Sequence, residues 1–437
     1  MQSSSVSRHS DQAGRISPMD MGNLRVEDHG MPMHVAALAI LDGAPLLREG
    51  GGLRLTDIRT RVEQRIRAVD RLHQLLVWPD GAHRRPVWGA AAHFDIADHV
   101  LASSVPPPGD EEALLRLCAE LNEPPLDRRR PLWELWLLPG LSDDRVALLL
   151  RLHHVVADGT AALDLLSSIL DPAPDLPESP GSGPVLGRAP EQWGLGGLAV
   201  RARQLWDLTR LGRAPALSWN RPVGPDRVHL LARADLARAK AAAHARGGKV
   251  NDVVLAAVAE GAHRLLESRD EPVPGGDLHV SVAASIRRPG ETGGNRVGVR
   301  LVAVPVGDAE PDARLRTVAA RTAAQRDKPP LQPSGLFLQR WMVRVMKRQR
   351  MTNLILSNLP GPTAPLSFAG AAVRELFQLS PLQGNCTIGV GVLSYAGQLN
   401  IDIVADPLVV PDVGVFAAGV TGALEQLGAV GRLVHDR

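Results

Sequence analysis

Apolar positions divide the chain into two stretches of alternating strand and helix, separated by a proline-rich break. In the first stretch Val35 to Leu41 reads as a strand. Thr56 to Ala68 carries Ile58, Val62 and Ile66 one turn apart, the stripe of a helix that packs one face on a core. Glu111 to Asn122 predicts a second helix and Trp133 to Leu138 a strand. Val146 to Leu152 is an apolar run of buried-strand type, and Thr160 to Leu170 returns to helical spacing. Asp171 to Gly187 then holds Pro172, Pro174, Pro177, Pro180 and Pro184 among glycine and serine, which predicts a linker. The pattern restarts near Pro225. Helices are expected over Asn251 to Glu267, Glu310 to Arg326 and Val413 to Leu427. Strands are expected over Leu278 to Ile286, Val297 to Val306, Leu354 to Ser357, Thr387 to Ser394 and Leu399 to Ala405. The expected organisation is α/β: a leader over 1–14, a first lobe over 15–171, a linker and crossover helix over 172–224, and a second lobe over 225–437.

Composition narrows the class. With 437 residues there is ample chain for two lobes, and 44% hydrophobic with 22% charged residues describes an ordered protein. A formal net charge of +2, with no nucleic-acid motif, gives no reason to expect DNA or RNA as a partner. Met1 to Gly14 is polar and serine-rich without the apolar centre of a signal peptide, and no apolar run is long enough for a membrane-spanning helix. The expected location is the cytoplasm, with contact to a membrane surface. Two basic amphipathic segments, Leu198 to Leu211 and Phe337 to Met351, read either as helices packed on the core or as lipid-adsorbing faces.

The candidate chemistry lies in His153-His154-Val155-Val156-Ala157-Asp158-Gly159, an HHxxxDG pattern where the buried strand turns into a helix. Successive side chains on a strand face opposite ways, so the two imidazoles cannot both reach one substrate. One is expected to face a cleft as a base and the other to be held by internal hydrogen bonds. Asp158 can cap the following helix or pair with a buried arginine, and Gly159 permits a tight turn or a close approach. A metal site is not expected: adjacent histidines are poor joint ligands, and Cys118 and Cys386 stand alone. No G-x-S-x-G elbow of a serine hydrolase occurs. Gly194 to Ala199 matches a dinucleotide fingerprint in letters only, because no strand precedes it.

Further segments extend the pattern in order: Ser17-Pro18-Met19-Asp20, Pro32-Met33-His34-Val35, Phe94-Asp95 with His99-Val100, and Pro131-Leu132-Trp133-Glu134. Asn251-Asp252, Ser285-Ile286-Arg287, Gly294-Asn295, Ser357-Asn358-Leu359-Pro360-Gly361-Pro362, Asp406 and Pro411-Asp412 follow. With these the chain resembles the bacterial wax ester synthase/acyl-CoA:diacylglycerol acyltransferase family, within the HHxxxDG superfamily, from about Ser17 onward. Asp42-Gly43 departs from that family, which often has a bulky apolar residue before the glycine.

The resemblance implies two chloramphenicol acetyltransferase-like lobes with an active-site tunnel between them. It implies acyl transfer from acyl-CoA, as co-substrate and without a cofactor, to a long-chain alcohol or a diacylglycerol. His154 would be the general base, with His153 and Asp158 fixing the loop. Asn251 reads either as a helix N-cap or, by the resemblance, as a hydrogen-bond donor facing the tunnel; Asp252 reads as structural. Trp133 reads as core packing more than substrate lining, and Ser357 and Asn358 as a strand end bordering the tunnel. Arg128-Arg129-Arg130 and Arg287-Arg288 are candidate clamps for coenzyme A phosphates. An apolar acceptor or product would bring the enzyme to the inner membrane surface or to lipid droplets. The rival readings are an acyltransferase of the same superfamily acting on a specialised metabolite, a silent binding protein, and a condensation domain.

Overall fold

The computed structural model describes residues 15–28, 30–79, 85–171, 212–272, 277–285, 297–307, 310–326, 328, 330–331 and 346–430. The expected leader, the Gly194 to Ala199 pattern, the Leu198 to Leu211 segment, the Arg287-Arg288 pair, Gly294-Asn295 and most of Phe337 to Met351 lie outside these residues.

The first half runs α1 (Pro18–Asp28), β1 (His34–Asp42), α2 (Leu55–Ile66), β2 (Gln74–Val77), β3 (Val87–Ala90), β4 (Val100–Ala102), α3 (Glu111–Asn122), β5 (Trp133–Leu138), β6 (Arg145–His153) and α4 (Gly159–Ile169). The second half runs β7 (Val228–Asp235), α5 (Leu236–His244), α6 (Val250–Ser268), β8 (Asp277–Ser285), β9 (Val297–Pro305) and α7 (Pro311–Ala323). It continues with β10 (Leu354–Pro360), β11 (Ser367–Phe368), β12 (Ala371–Leu379), β13 (Ile388–Tyr395), β14 (Gln398–Ala405) and α8 (Val413–Gln426). These form two six-stranded sheets, ordered β11-β12-β1-β6-β5-β4 and β7-β14-β13-β10-β8-β9, and a separate β2-β3 hairpin.

Strand β6 lies in the interior of the first sheet and is apolar on both faces because helices cover both. Val146, Leu148, Leu150 and Leu152 join a core with Ile58, Val62 and Ile66 of α2 and Leu165, Leu166 and Ile169 of α4. The alternate residues Ala147 and Leu149 pack with Ala113, Leu114 and Cys118 of α3 on the other face. Antiparallel pairing with β1 is continuous from Asp42 opposite Arg145 to His34 opposite His153. Both strand ends therefore arrive at one edge of the sheet.

One expectation about the lobes needs correction. Residues 367–379, assigned from sequence to the second lobe, supply β11 and β12 to the first sheet, where β12 pairs antiparallel with β1. The chain then crosses into β13 of the second sheet. Gly391 there allows the close approach: a Cβ at this position would lie 2.6 Å from Gln378 O. The described end of the expected linker and crossover, residues 212–224, packs on the second lobe. Trp219 is fully buried, and Val223 N donates to Gly384 O at 3.0 Å. The unusual Asp42 also has a local reason, since it receives both Nε and Nη2 of Arg374 on β12 at 2.7 Å.

The second lobe packs α6 against α8 at glycines. A Cβ on Gly419 would lie 2.7 Å from Gly261 Cα, and one on Gly261 would lie 2.6 Å from Phe416 O. Neither obstacle is a flexible side-chain tip, so the helices would have to separate. Gly419→Val is expected to destabilise the protein by about 1–3 kcal/mol, the usual cost of overpacking a core. Calorimetry should register a lower melting temperature, and an unchanged one would show that the helix pair can part freely.

Candidate active site

The HHxxxDG segment begins on the last residue of β6. His153 N donates to Leu132 O at 3.0 Å, and His154 N continues the ladder by donating to Met33 O at 2.7 Å. The strand ends at His153, and His154 opens the turn closed by Val156 N donating to His153 O at 2.8 Å. His153 faces the same way as His34, its partner in the β1–β6 register. His153 is fully buried, whereas His154 is half-buried. On the side of Leu152, an apolar crevice between α4 and β10 is lined by Val35, Leu150, Leu152, Ala162 and Leu359.

His153 is held on two sides. Its Nδ1 accepts the turn N–H of Val155 at 2.9 Å, which puts the ring hydrogen on Nε2. That Nε2 lies 3.4 Å from Glu27 Oε2. Glu27 stands near the end of α1, where its carboxylate also meets His34 Nε2 at 3.5 Å and Arg128 Nη2 at 2.6 Å. His34 is fixed in turn by the contact of its Nδ1 with Asn122 O at 2.9 Å. Burial pushes the Glu27 carboxyl upward, but contacts with His153, His34 and Arg128 outweigh it and hold the group well below the ordinary carboxylate range. Burial also lowers the His153 pKa, and Glu27 offsets this only in part.

Asp158 is fully buried and caps α4, its Oδ1 accepting from Ala161 N at 3.0 Å. Gly159 is the first residue of that helix and serves a close approach, not a turn. A Cβ there would lie 2.7 Å from Leu359 Cδ1 of β10, so the motif is pressed against the second lobe. Asn251 is not the N-cap of α6. The helix begins at Val250, and the Asp252 side chain accepts from Lys249 N at 2.7 Å. Asn251 instead accepts a hydrogen bond from Asn358 Nδ2 at 3.3 Å, joining the start of α6 to β10. Ser357 and Asn358 lie within β10, opposite Gly391 and Val392 of β13.

Several motif residues are structural. Ser17 and Asp20 cap α1 reciprocally, with Ser17 N donating to Asp20 Oδ2 at 3.0 Å and Asp20 N to Ser17 Oγ at 3.1 Å. Trp133 is buried, donates Nε1 to Leu72 O at 2.8 Å and stacks on His99 at 4.6 Å. Asp252 accepts from Thr322 Oγ1 at 2.7 Å. Asp406 and Asp412 bind Gly224 N and Arg269. The arginines at 128–130 are not gathered into a phosphate clamp. Arg128 engages Glu27 and Asp28, Arg129 engages Asp127 and Arg130 engages Asp98. Glu27 was the residue missed from sequence. Its signal was the spacing of Asp20, Leu24 and Glu27 on one helical face just before His34.

Two sheets meeting around an HHxxxDG strand end define a two-lobed acyltransferase architecture. The wax ester synthase/diacylglycerol acyltransferase catalytic domain matches residues 16–211, and the C-terminal domain of the same family matches residues 293–428. A Mycobacterium tuberculosis protein bearing the name diacylglycerol O-acyltransferase is 30% identical, over 94% of this chain and 90% of its own. The wax ester synthase/diacylglycerol acyltransferase of Marinobacter aquaeolei VT8 superposes with a TM-score of 0.72 at 23% identity, covering 94% of this chain and 98% of that one. The starter condensation domain of rhizomide synthetase, solved with C8-CoA, superposes with a TM-score of 0.63 at 15% identity, covering 97% and 96%. The chain belongs to the wax ester synthase/diacylglycerol acyltransferase family and is an acyltransferase.

The buried ionisable groups set a pH dependence. His153 titrates below its ordinary 6.5 and Glu27 below its ordinary 4.5, so in acid each binds fewer protons folded than unfolded. Stability is therefore expected to fall as pH drops below about 6.5 and to fall further below about 4.5. Thermal melts at about pH 7 and about pH 5 test this, and a level melting temperature between them would contradict it.

Proposed function

We propose that this enzyme transfers a long-chain acyl group from acyl-CoA to a long-chain alcohol or a diacylglycerol, with His154 as general base. The observation that carries the reading is the unequal burial of the motif histidines. His153 is fully buried with its Nδ1 held by Val155 N, and His154 is half-buried in the turn that follows β6. In this mechanism the neutral His154 imidazole takes the acceptor hydroxyl proton as that oxygen attacks the thioester carbonyl. The tetrahedral intermediate collapses with cleavage of the C–S bond, and the imidazolium returns the proton to the departing thiolate. No acyl-enzyme and no cofactor is required. In this reading Asn251, whose Oδ1 accepts from Asn358, would offer its amide N–H groups to the oxyanion.

Apolar lining of the crevice favours lipid substrates over a polar specialised metabolite. Operation at the surface of a membrane or lipid droplet follows from such substrates, and the exposed Trp78 and Val77 at the end of β2 are suited to it. No helix among the described residues is long and apolar enough to cross a membrane.

Coenzyme A release from palmitoyl-CoA, with hexadecanol or a diacylglycerol as acceptor, is the direct test. His154→Ala is expected to remain folded and to lose about 10²–10⁴-fold in turnover, the usual contribution of a positioned base. Near-normal turnover by that variant would remove His154 from the mechanism. Release only with short acyl-CoA and polar alcohols would favour the specialised-metabolite reading.

A further inference from the structure

Glu27 is a buried carboxylate outside the HHxxxDG motif, yet three cationic or imidazole side chains from separate parts of the fold converge on it. His34 comes from the first residue of β1, His153 from the last residue of β6, and Arg128 from the segment before β5. Its side chain is 4% exposed. Glu27 Oε1 and the Nε2 of each histidine are buried and have no hydrogen-bond partner among the described residues, so the carboxylate and the two rings face one another at 3.4–3.5 Å. Glu27 is thus the charged group that both Nε2 atoms face, while Val155 N and Asn122 O hold the Nδ1 atoms of His153 and His34.

We propose that Glu27 is a positioning residue, which orients His153 and, through the Val155 N–H that His153 holds, sets the placement and electrostatic environment of His154. The proposal rests on His154 being the base. Its geometry has two parts. Glu27 Oε2 lies 3.4 Å from the Nε2 of His153, whose Nδ1 accepts from Val155 N at 2.9 Å. That amide belongs to the residue directly after His154, so the ring of His153 fixes the chain on which the base is carried. The second part is charge. Glu27 supplies a buried negative charge beside the strand end, and Arg128 partly neutralises it. The charged and titratable groups facing the carboxylate are His34, His153 and Arg128, with Asp28 next in the chain and bound to the same arginine.

Two variants report on these parts through the acidic limb of the pH profile of kcat/KM, which follows protonation of the free enzyme's base. Glu27→Gln removes the negative charge, leaves Arg128, and makes a nearby imidazolium less favourable. The limb moves to lower pH, and kcat falls by about 10- to 100-fold with KM for acyl-CoA little changed, a range typical of outer partners of metal-bound histidines. Arg128→Gln leaves the carboxylate without its neutralising partner, and the limb moves to higher pH. The opposite directions distinguish electrostatic positioning from loss of packing, which would lower activity without moving the limb. Arg128 is partly exposed, so its variant carries the test if Glu27→Gln does not fold. An unmoved limb in the folded variants overturns the proposal. His154→Ala in the same assay separates the two claims: if it is inactive while Glu27→Gln behaves as wild type, the base stands and the role of Glu27 falls. If His154→Ala turns over normally, the base itself is wrong.

Discussion

Adjacent residues on an extended strand cannot face the same way, and the centre of this protein is organised around that constraint. His153 ends β6 in the interior of the first lobe, and His154 opens the turn that follows, only half-buried. The interior position is costly for an imidazole unless it is hydrogen-bonded. Here Val155 N donates to Nδ1, and the Glu27 carboxylate lies 3.4 Å from Nε2. Fixing His153 in this way fixes the turn that follows, and with it the approach of α4 to the second lobe.

The strand itself is held in place by burial on both faces. Its two alternating sets of side chains enter separate cores, one beneath α2 and α4 and one beneath α3. Pairing with β1 brings His34 level with His153. On the other side of β1, strand β12 ties the first sheet to the segment leading into the second. Arg233 of β7 reaches Glu375 of β12 and Glu111 of α3, joining the lobes at a further point. The site is consequently a junction, built from the strand end and helix start of one half and from β10 and the start of α6 of the other.

Most regular elements were legible in the sequence because their periodicity is undisturbed. The Glu111–Asn122 helix and the Trp133–Leu138 strand have the boundaries that their patterns predict. Strand β12 was not legible, for a physical reason. A register shift between Ile40 and Leu41 of β1 places Val373 and Glu375 opposite adjacent residues, which breaks the period-two alternation. Arg374 and Glu375 also look like solvated loop residues until their partners Asp42 and Arg233 are seen. The cap at Lys249 was missed in a similar way, because Asn251 is the better N-cap residue by type and lies only two positions away.

The sequence by itself determined the chemistry on offer: adjacent histidines at the end of an apolar run, an aspartate able to cap the next helix, and an ordered set of motifs that marks the family. These signals are local, and backbone alternation and capping act over a few residues. Only the tertiary structure decided how the histidines differ in environment, that Glu27 and Arg128 belong to the same cluster as His153, and that Asn251 meets Asn358. Such pairings join residues about 100 positions apart in several cases, as with Arg128 and Glu27 or Asn358 and Asn251. A carboxylate next to an aspartate at a helix end looks solvated until the sheet closes over it, because burial is a property of the packed whole and not of any segment.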